Sequence, residues 1–217
     1  MSARAYRLGK REVTVEETRD KIVRAARDLF SESGFHGVTL DDVAKRAGVA
    51  RATVYYQFES KYGLLDHVIV NSLLKDKAQG LRRAREHADA LTGMRMYIVE
   101  ICKFWNGDHV LFRNVYGLAA IDSEAAKLFD SYDDRRRELL TWLAKRLDDQ
   151  GYLRPGTSQR RATDVLWLLS SFRSFDQLHV RAQLSLEESA SLLNELAGAI
   201  LSDEARASFS AMTTPAG

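Results

Sequence analysis

TLDDVAKRAGVARATVYYQFESK, residues 39–61, carries the pattern that decides the fold. Thr39 with Asp42 three positions later has the form of a helix-start capping pair, because a hydroxyl and a carboxylate at that spacing satisfy amide donors that a first turn leaves unpaired. A helix is predicted from Leu40 to Ala47, with Val43, Ala44 and Ala47 on one face and Asp41, Lys45 and Arg46 on the other. Gly48 ends it, since glycine takes positive φ without steric cost. Val49 is placed to plug the space before a second short helix, Ala50 to Phe58, which turns Val54 and Phe58 inward at i and i+4. Its outer face is then Arg51, Ala52, Thr53, Tyr55, Tyr56 and Gln57.

Those outward groups suit a polyanion with readable edges. Arginine forms a two-pronged hydrogen bond to guanine, glutamine reads adenine, and small methyl-bearing side chains meet the thymine methyl, which makes Arg51, Gln57, Ala52 and Thr53 the candidate readers of base sequence. Tyr55, Tyr56 and Lys61 carry donors on long arms that reach phosphate oxygens, contacts that fix register without reading sequence. Taken singly, a Thr-x-x-Asp cap is a helix start and a tyrosine is packing. The ordered combination of small alanines, turn glycine, apolar plug and short polar-aromatic helix matches helix-turn-helix geometry.

With those residues in view, the stretch from Thr18 to Leu65 resembles the DNA-binding domain of TetR-family transcriptional regulators. In that pattern a first helix ends in a phenylalanine and a glycine-aromatic turn, here Phe30 and Gly34-Phe35. Then follow Thr39, Ala44, Ala47-Gly48-Val49, Thr53, Tyr55, Phe58 and Lys61. The resemblance implies phosphate contacts from Thr39, Tyr55, Tyr56 and Lys61, and base readout near Arg51, Ala52, Thr53 and Gln57. Ala50 departs from the family, which often has serine there, and Gln57 departs from its frequent tyrosine or histidine. The resemblance covers the first third of the chain.

The rest of the chain fits a helical body. At 217 residues and 45% hydrophobic content it can bury a substantial core. With only two prolines, Pro155 and Pro215, and no segment alternating at period two, an all-α fold is expected. Four parts are predicted: a basic, flexible arm over 1–17, a helix-turn-helix domain over 18–66, an effector-binding and dimerisation body over 67–204, and a flexible tail over 205–217. The net charge of +2 says little about nucleic acid, but Arg4, Arg7, Lys10 and Arg11 stand together without an acid. That arm either follows phosphates or solubilises a tail. Cys102 stands alone, so no intramolecular disulfide is possible, and its neighbours place it in a core. No apolar run of about 18 residues marks a membrane span and the N-terminal residues carry no signal-peptide pattern, so a cytoplasmic protein without membrane contact is expected.

Within the body, helices are expected over 61–80, 91–106, 109–119, 123–150, 158–182 and 186–202. The helix over 158–182 carries apolar residues on two faces, which calls for two partners. The second partner is read as the same helix of another subunit, through Trp167, Ser170, Ser171, Ser174 and Leu178, completed by Leu193, Leu196, Ala197 and Ile200 of the last helix. A two-fold homodimer sets its recognition helices about 34–36 Å apart on a palindromic operator. Phe104, Trp105, Phe112, Tyr116, Trp142 and Phe172 either line an apolar effector cavity or fill a core. Asp176 and His179 fall on the same inward stripe, where buried polar groups need partners such as His109, Arg173 or a ligand.

Catalysis has little support. The histidines have no metal-ligand spacing, and neither a phosphate loop nor a nucleophile motif appears, so no catalytic residue, metal or cofactor is expected. The leading expectation is a homodimeric repressor on double-stranded DNA, released from its operator by a small apolar or amphipathic effector. The alternatives are a DNA-binding regulator controlled by a protein partner or by no ligand and, more distantly, an enzyme with an appended reader domain.

Overall fold

The computed structural model describes residues 3–74 and 77–211, with side chains over 15–72 and 79–209. Among them the regular structure is helical, apart from one antiparallel β-bridge between Leu153 and Leu201. The chain divides into two compact units, Met1–Leu73 with Arg113–Leu128, and Leu74–Phe112 with Phe129–Gly217.

In the first unit, α1 (Ala3–Ser33) buries Ile22, Ala26 and Phe30, which fall at i, i+4 and i+8 on one stripe. The expected arm over 1–17 is instead helical backbone from Ala3, continuous with α1. No proline interrupts that stretch, and alanine and arginine favour helix. After the Gly34 turn, α2 (Leu40–Ala47) and α3 (Arg51–Phe58) run where the sequence placed them. α4 (Lys61–Leu74) buries Leu64, Leu65, Val68 and Ile69. Ser60 starts this helix, its hydroxyl accepting from the Gly63 amide at 2.9 Å.

Residues 113–128 join this unit, an assignment the linear division at residue 66 did not contain. The physical ties are specific. The Asn114 amide donates to the Phe30 and Ser31 carbonyls at 3.0 and 3.1 Å, satisfying acceptors that the end of α1 leaves open. The Tyr62 hydroxyl donates to Asp122 at 2.6 Å. Asp122 also accepts from the Glu124 and Ala125 amides, capping the helix that follows.

The second unit holds α5 (Lys77–Glu86), α6 (Ala90–Gly107) and the start of α7 (His109–Ala119). It continues with most of α8 (Ser123–Asp149), then α9 (Gln159–Leu169), α10 (Phe172–Asp176), α11 (Leu186–Ala197) and α12 (Asp203–Ala211). α6 packs on α5 through Gly93, where an added Cβ would stand 2.7 Å from the Ala84 carbonyl oxygen. The helix expected over 61–80 is therefore two, α4 and α5, with residues 75–76 outside those described.

Two further expectations are corrected. The helix over 158–182 is broken: α9 stops at Leu169, Ser171 caps α10 by accepting from the Ser174 amide, and Gln177–Arg181 forms a π-helical turn. Serines end helices because their hydroxyls compete for backbone groups, so the run Ser170-Ser171 marks a restart. The tail over 205–217 also begins as structure. α12 buries Ala205 and Phe209, the latter only 2% exposed, while residues 212–217 lie outside those described.

Candidate nucleic-acid interface

The local chemistry of residues 39–61 positions the outward face of α3. Thr39 is extended, its hydroxyl accepts from the Asp42 amide at 3.1 Å, and Asp42 returns the contact by accepting from the Thr39 amide at 2.9 Å. The Thr39 hydroxyl and amide together hold the Asp42 carboxyl below its ordinary range. Gly48 takes the left-handed conformation at φ 67°, and its amide reaches back to close α2. Ala50 caps α3 without a side-chain hydrogen bond, the consequence of alanine where serine is frequent.

Val54 and Phe58 are 0% and 3% exposed, so α3 is anchored by two side chains four residues apart. The opposite face carries exposed Arg51, Ala52, Tyr55 and Tyr56, with Tyr56 89% exposed. Thr53 and Gln57 are half-buried, and the Gln57 Oε1 atom is enclosed without a hydrogen-bond partner. Gln57 thus shows less of its reading edge than Arg51 does. Val49, expected as an interhelical plug, is half-buried.

Two of the expected phosphate ligands already have partners. Both Thr39 donors go to Asp42, the hydroxyl at 2.5 Å. The Lys61 ammonium lies over the Phe35 ring at 4.2 Å, and burial pulls its pKa below the ordinary lysine value. Arg46, on the outward face of α2, is held by a bidentate pair with Glu32 at 3.0 and 3.1 Å. Arg51 is flanked by Asp41 and Tyr55, and Asp41 was not among the residues singled out from sequence.

In the second unit, Phe104, Trp105, Phe112 and Phe172 do gather, with ring centroids 4.7–6.0 Å apart and each ring no more than 6% exposed. Trp105 donates its indole N–H to the Ser170 carbonyl at 3.0 Å. His109 and Asp176 pair at 2.7 Å, while His179 donates Nδ1–H to the Leu184 carbonyl and stacks on Phe175. The partners expected for Asp176 and His179 therefore come from the protein itself. Trp142 is not part of this cluster: it is 41% exposed and stacks with Arg146. Tyr116 belongs to the first unit. Cys102 is fully buried, and desolvation pushes its thiol up to about 12.

The residues expected to face a second subunit divide. Ser170, Leu193, Ala197 and Ile200 are 0–3% exposed, so they serve the chain's own interior. Ser171 and Ser174 are engaged at the helix break, Ser174 Oγ donating to the Leu168 carbonyl at 2.7 Å. Trp167 and Leu178 are half-buried, and the guanidinium groups of Arg136 and Arg137 lie 5.5 and 5.3 Å from the centre of the Trp167 ring. The exposed apolar side chains on α9 and α11 are Leu168, 61% exposed, and Leu196, 48% exposed. An open groove of about 470 Å³ lies along α9, lined by Ser158, Arg160, Arg161, Asp164, Val165 and Leu168.

Among the described residues no helix is long and apolar enough to cross a membrane. Residues 22–68 match the family model of bacterial regulatory proteins, tetR family. The HTH-type transcriptional regulator UidR of Escherichia coli strain K12 is 34% identical over 76 residues, which cover 35% of this chain and 37% of UidR. The chain thus aligns with little more than a third of that relative's length. NalD, the secondary repressor of the MexAB-OprM multidrug efflux pump in Pseudomonas aeruginosa, superimposes with a TM-score of 0.69 at 24% identity, over 88% of this chain and 98% of NalD. A Saccharomonospora viridis regulator solved in complex with choline superimposes with a TM-score of 0.62 at 19% identity, over 86% of this chain and 98% of that one. The two superpositions show the shared helical fold, and over residues 22–68 the chain is similar to the tetR family of bacterial regulatory proteins.

Proposed function

We propose that the protein is a homodimeric, DNA-binding transcriptional regulator, a repressor released from a palindromic operator by a small apolar or amphipathic effector. One observation carries the DNA-binding reading. α3 is fixed from behind by Val54 and Phe58 while it presents Arg51, Tyr55 and Tyr56 outward, a bidentate donor for base edges beside two hydroxyls for phosphates. The printed name of UidR, a transcriptional regulator, supports the same role, and that of NalD, a repressor, supports the direction of control.

Dimerisation is supported by exposed Leu168 and Leu196 on two helices that pack against each other. Residues that large and apolar gain from a covering partner, and a two-fold arrangement supplies one for each copy. Effector control is supported by the fold shared with a regulator solved in complex with choline, and the aromatic cluster around Trp105 with the adjoining His109–Asp176 pair is the place that suits an apolar ligand bearing polar groups. An effector acts by binding better to a state that fits the operator less well, so its differential affinity sets the release. The close packing of those rings favours a second reading, a regulator controlled by a protein partner or by no ligand.

The test is selection by the purified protein from a randomised duplex library, followed by binding to the recovered sequence. Recovery of a palindrome bound two protomers at a time is the expected result. Recovery of no enriched sequence would overturn the reading.

A further inference from the structure

Arg51 does not wave freely in front of α3. Its Nε lies 2.8 Å from Asp41 Oδ1, its Nη2 donates to the Tyr55 hydroxyl at 3.2 Å, and its guanidinium carbon sits 5.2 Å from the centre of the Tyr55 ring. The Asp41 contact links the first turn of α2 to the first residue of α3 across the tight turn at Gly48. Such an arrangement comes from the tertiary path of the chain and not from helical spacing.

The geometry leaves a defined part of the guanidinium unused. The Tyr55 hydroxyl takes one Nη2 hydrogen, and the Asp41 carboxylate faces Nε as an ion pair without a hydrogen bond, which leaves Nη1 and a second Nη2 hydrogen for a ligand; a guanidinium presents such a pair of donors to O6 and N7 of guanine together. The Tyr55 hydroxyl accepts from Arg51 and keeps its own hydrogen for a phosphate oxygen. An exposed ion pair adds little to folding stability, so Asp41, with its side chain 42% exposed, has little to do there as a fold stabiliser. Its carboxylate also repels the phosphates that the rest of the surface attracts. What an acid in that place does supply is restriction of a long, rotamer-rich arginine before binding, which removes an ordering cost otherwise charged to the complex.

We propose that Asp41 is a positioning residue for sequence specificity: with Tyr55 it holds the Arg51 guanidinium so that its free edge meets one guanine in each operator half-site. This rests on the DNA-binding reading given above. Asp41 acts through Arg51 and touches no base.

The experiment compares wild type, Asp41→Asn and Arg51→Ala by fluorescence anisotropy on three probes. These are the duplex recovered by selection with the wild type, the same duplex with a single G·C pair changed to A·T at the position where Arg51→Ala loses preference, and an unrelated duplex of equal length. Asp41→Asn is expected to lower discrimination between the first two probes by about three- to tenfold, the scale of one immobilised side chain. Binding to the unrelated duplex is expected to tighten by about two- to threefold, because a negative charge has left the surface. A merely structural Asp41 would weaken all three probes together, and that result overturns the proposal. So does unchanged discrimination in Asp41→Asn, or an Arg51→Ala protein with no altered base preference. Asp41→Glu, which keeps the charge, is expected to recover part of the discrimination, and a Glu variant no better than Asn also contradicts the assignment. If the wild type binds no duplex with salt sensitivity, the DNA-binding reading itself fails, which is a different outcome from loss of the Asp41 effect.

Discussion

Tyr62 donates its hydroxyl to Asp122 at 2.6 Å, joining the first turn of α4 to the start of α8 inside the unit that carries the helix-turn-helix. The hydrogen bond pushes the Tyr62 phenol up to about 12 and, after the Ala125 amide, is the main cause that holds Asp122 below its ordinary range. Because the folded state keeps the phenol proton more tightly than the unfolded state, this contribution is complete below about pH 10 and is lost as pH rises through about 12. Tyr62→Phe is expected to cost about 1 kcal/mol at neutral pH, below the usual range for a hydrogen bond to a charged group because solvent screens the site. Urea midpoints at pH 7 and pH 11 check this, with a smaller difference between variant and wild type at the higher pH. Equal midpoints at pH 7 would mean that the contact does not stabilise the unit.

Trp105 donates to the carbonyl of Ser170, which is 1% exposed and lies where α9 stops. Trp105→Phe removes the donor and leaves a buried acceptor unpaired, at a cost of about 1–3 kcal/mol. Hydrogen exchange is expected to rise first in the segment 170–176, ahead of the rest of the second unit. Uniform exchange across that unit would contradict the local role.

For the subunit interface, the exposed side chains are the better probes. Leu168→Asp and Leu196→Asp are each expected to shift the protein to monomer by sedimentation while its helix content stays unchanged, because both residues are well exposed in the single chain. Trp167 is unsuitable for this purpose. It sits against Arg136 and Arg137, so a change there perturbs the chain's own packing. A stable dimer in the Leu168→Asp, Leu196→Asp double variant would put the interface elsewhere.

Lys61, whose ammonium rests over Phe35, is expected to swing onto a phosphate when a duplex arrives. Lys61→Ala should weaken all sequences alike and reduce the slope of log affinity against log salt by about one. A change in base preference would instead make Lys61 a reader.

How much of this was legible in the sequence follows from where each signal resides. The boundaries of α2 and α3 are written locally, in Thr39, Asp42 and Gly48, and the structure reproduces them within a residue. The anchoring of α3 by Val54 and Phe58 is equally local. The break at Ser170 was hidden because a single helical projection of 158–182 turned capping serines into small interface residues, and the subunit interface built on it enlisted Leu193, Ala197 and Ile200 of the last helix, which occupy the interior. The union of residues 113–128 with the first unit was hidden for another reason: it depends on contacts such as Asn114 to Phe30, far apart in sequence. Asp41 read as a solvated acid, since its pairing with Arg51 arises only once the turn has brought the two helices together.

The most direct measurement of the central claim is the salt dependence of duplex binding by the unmodified protein. Purified wild-type chain is titrated into the selected duplex across a range of potassium chloride concentrations, and log affinity is plotted against log salt. A linear fall with a slope of several units, shared by specific and unrelated duplexes but offset between them, is what a basic, base-reading helix predicts. A flat line, with no duplex held at any salt concentration, would contradict it.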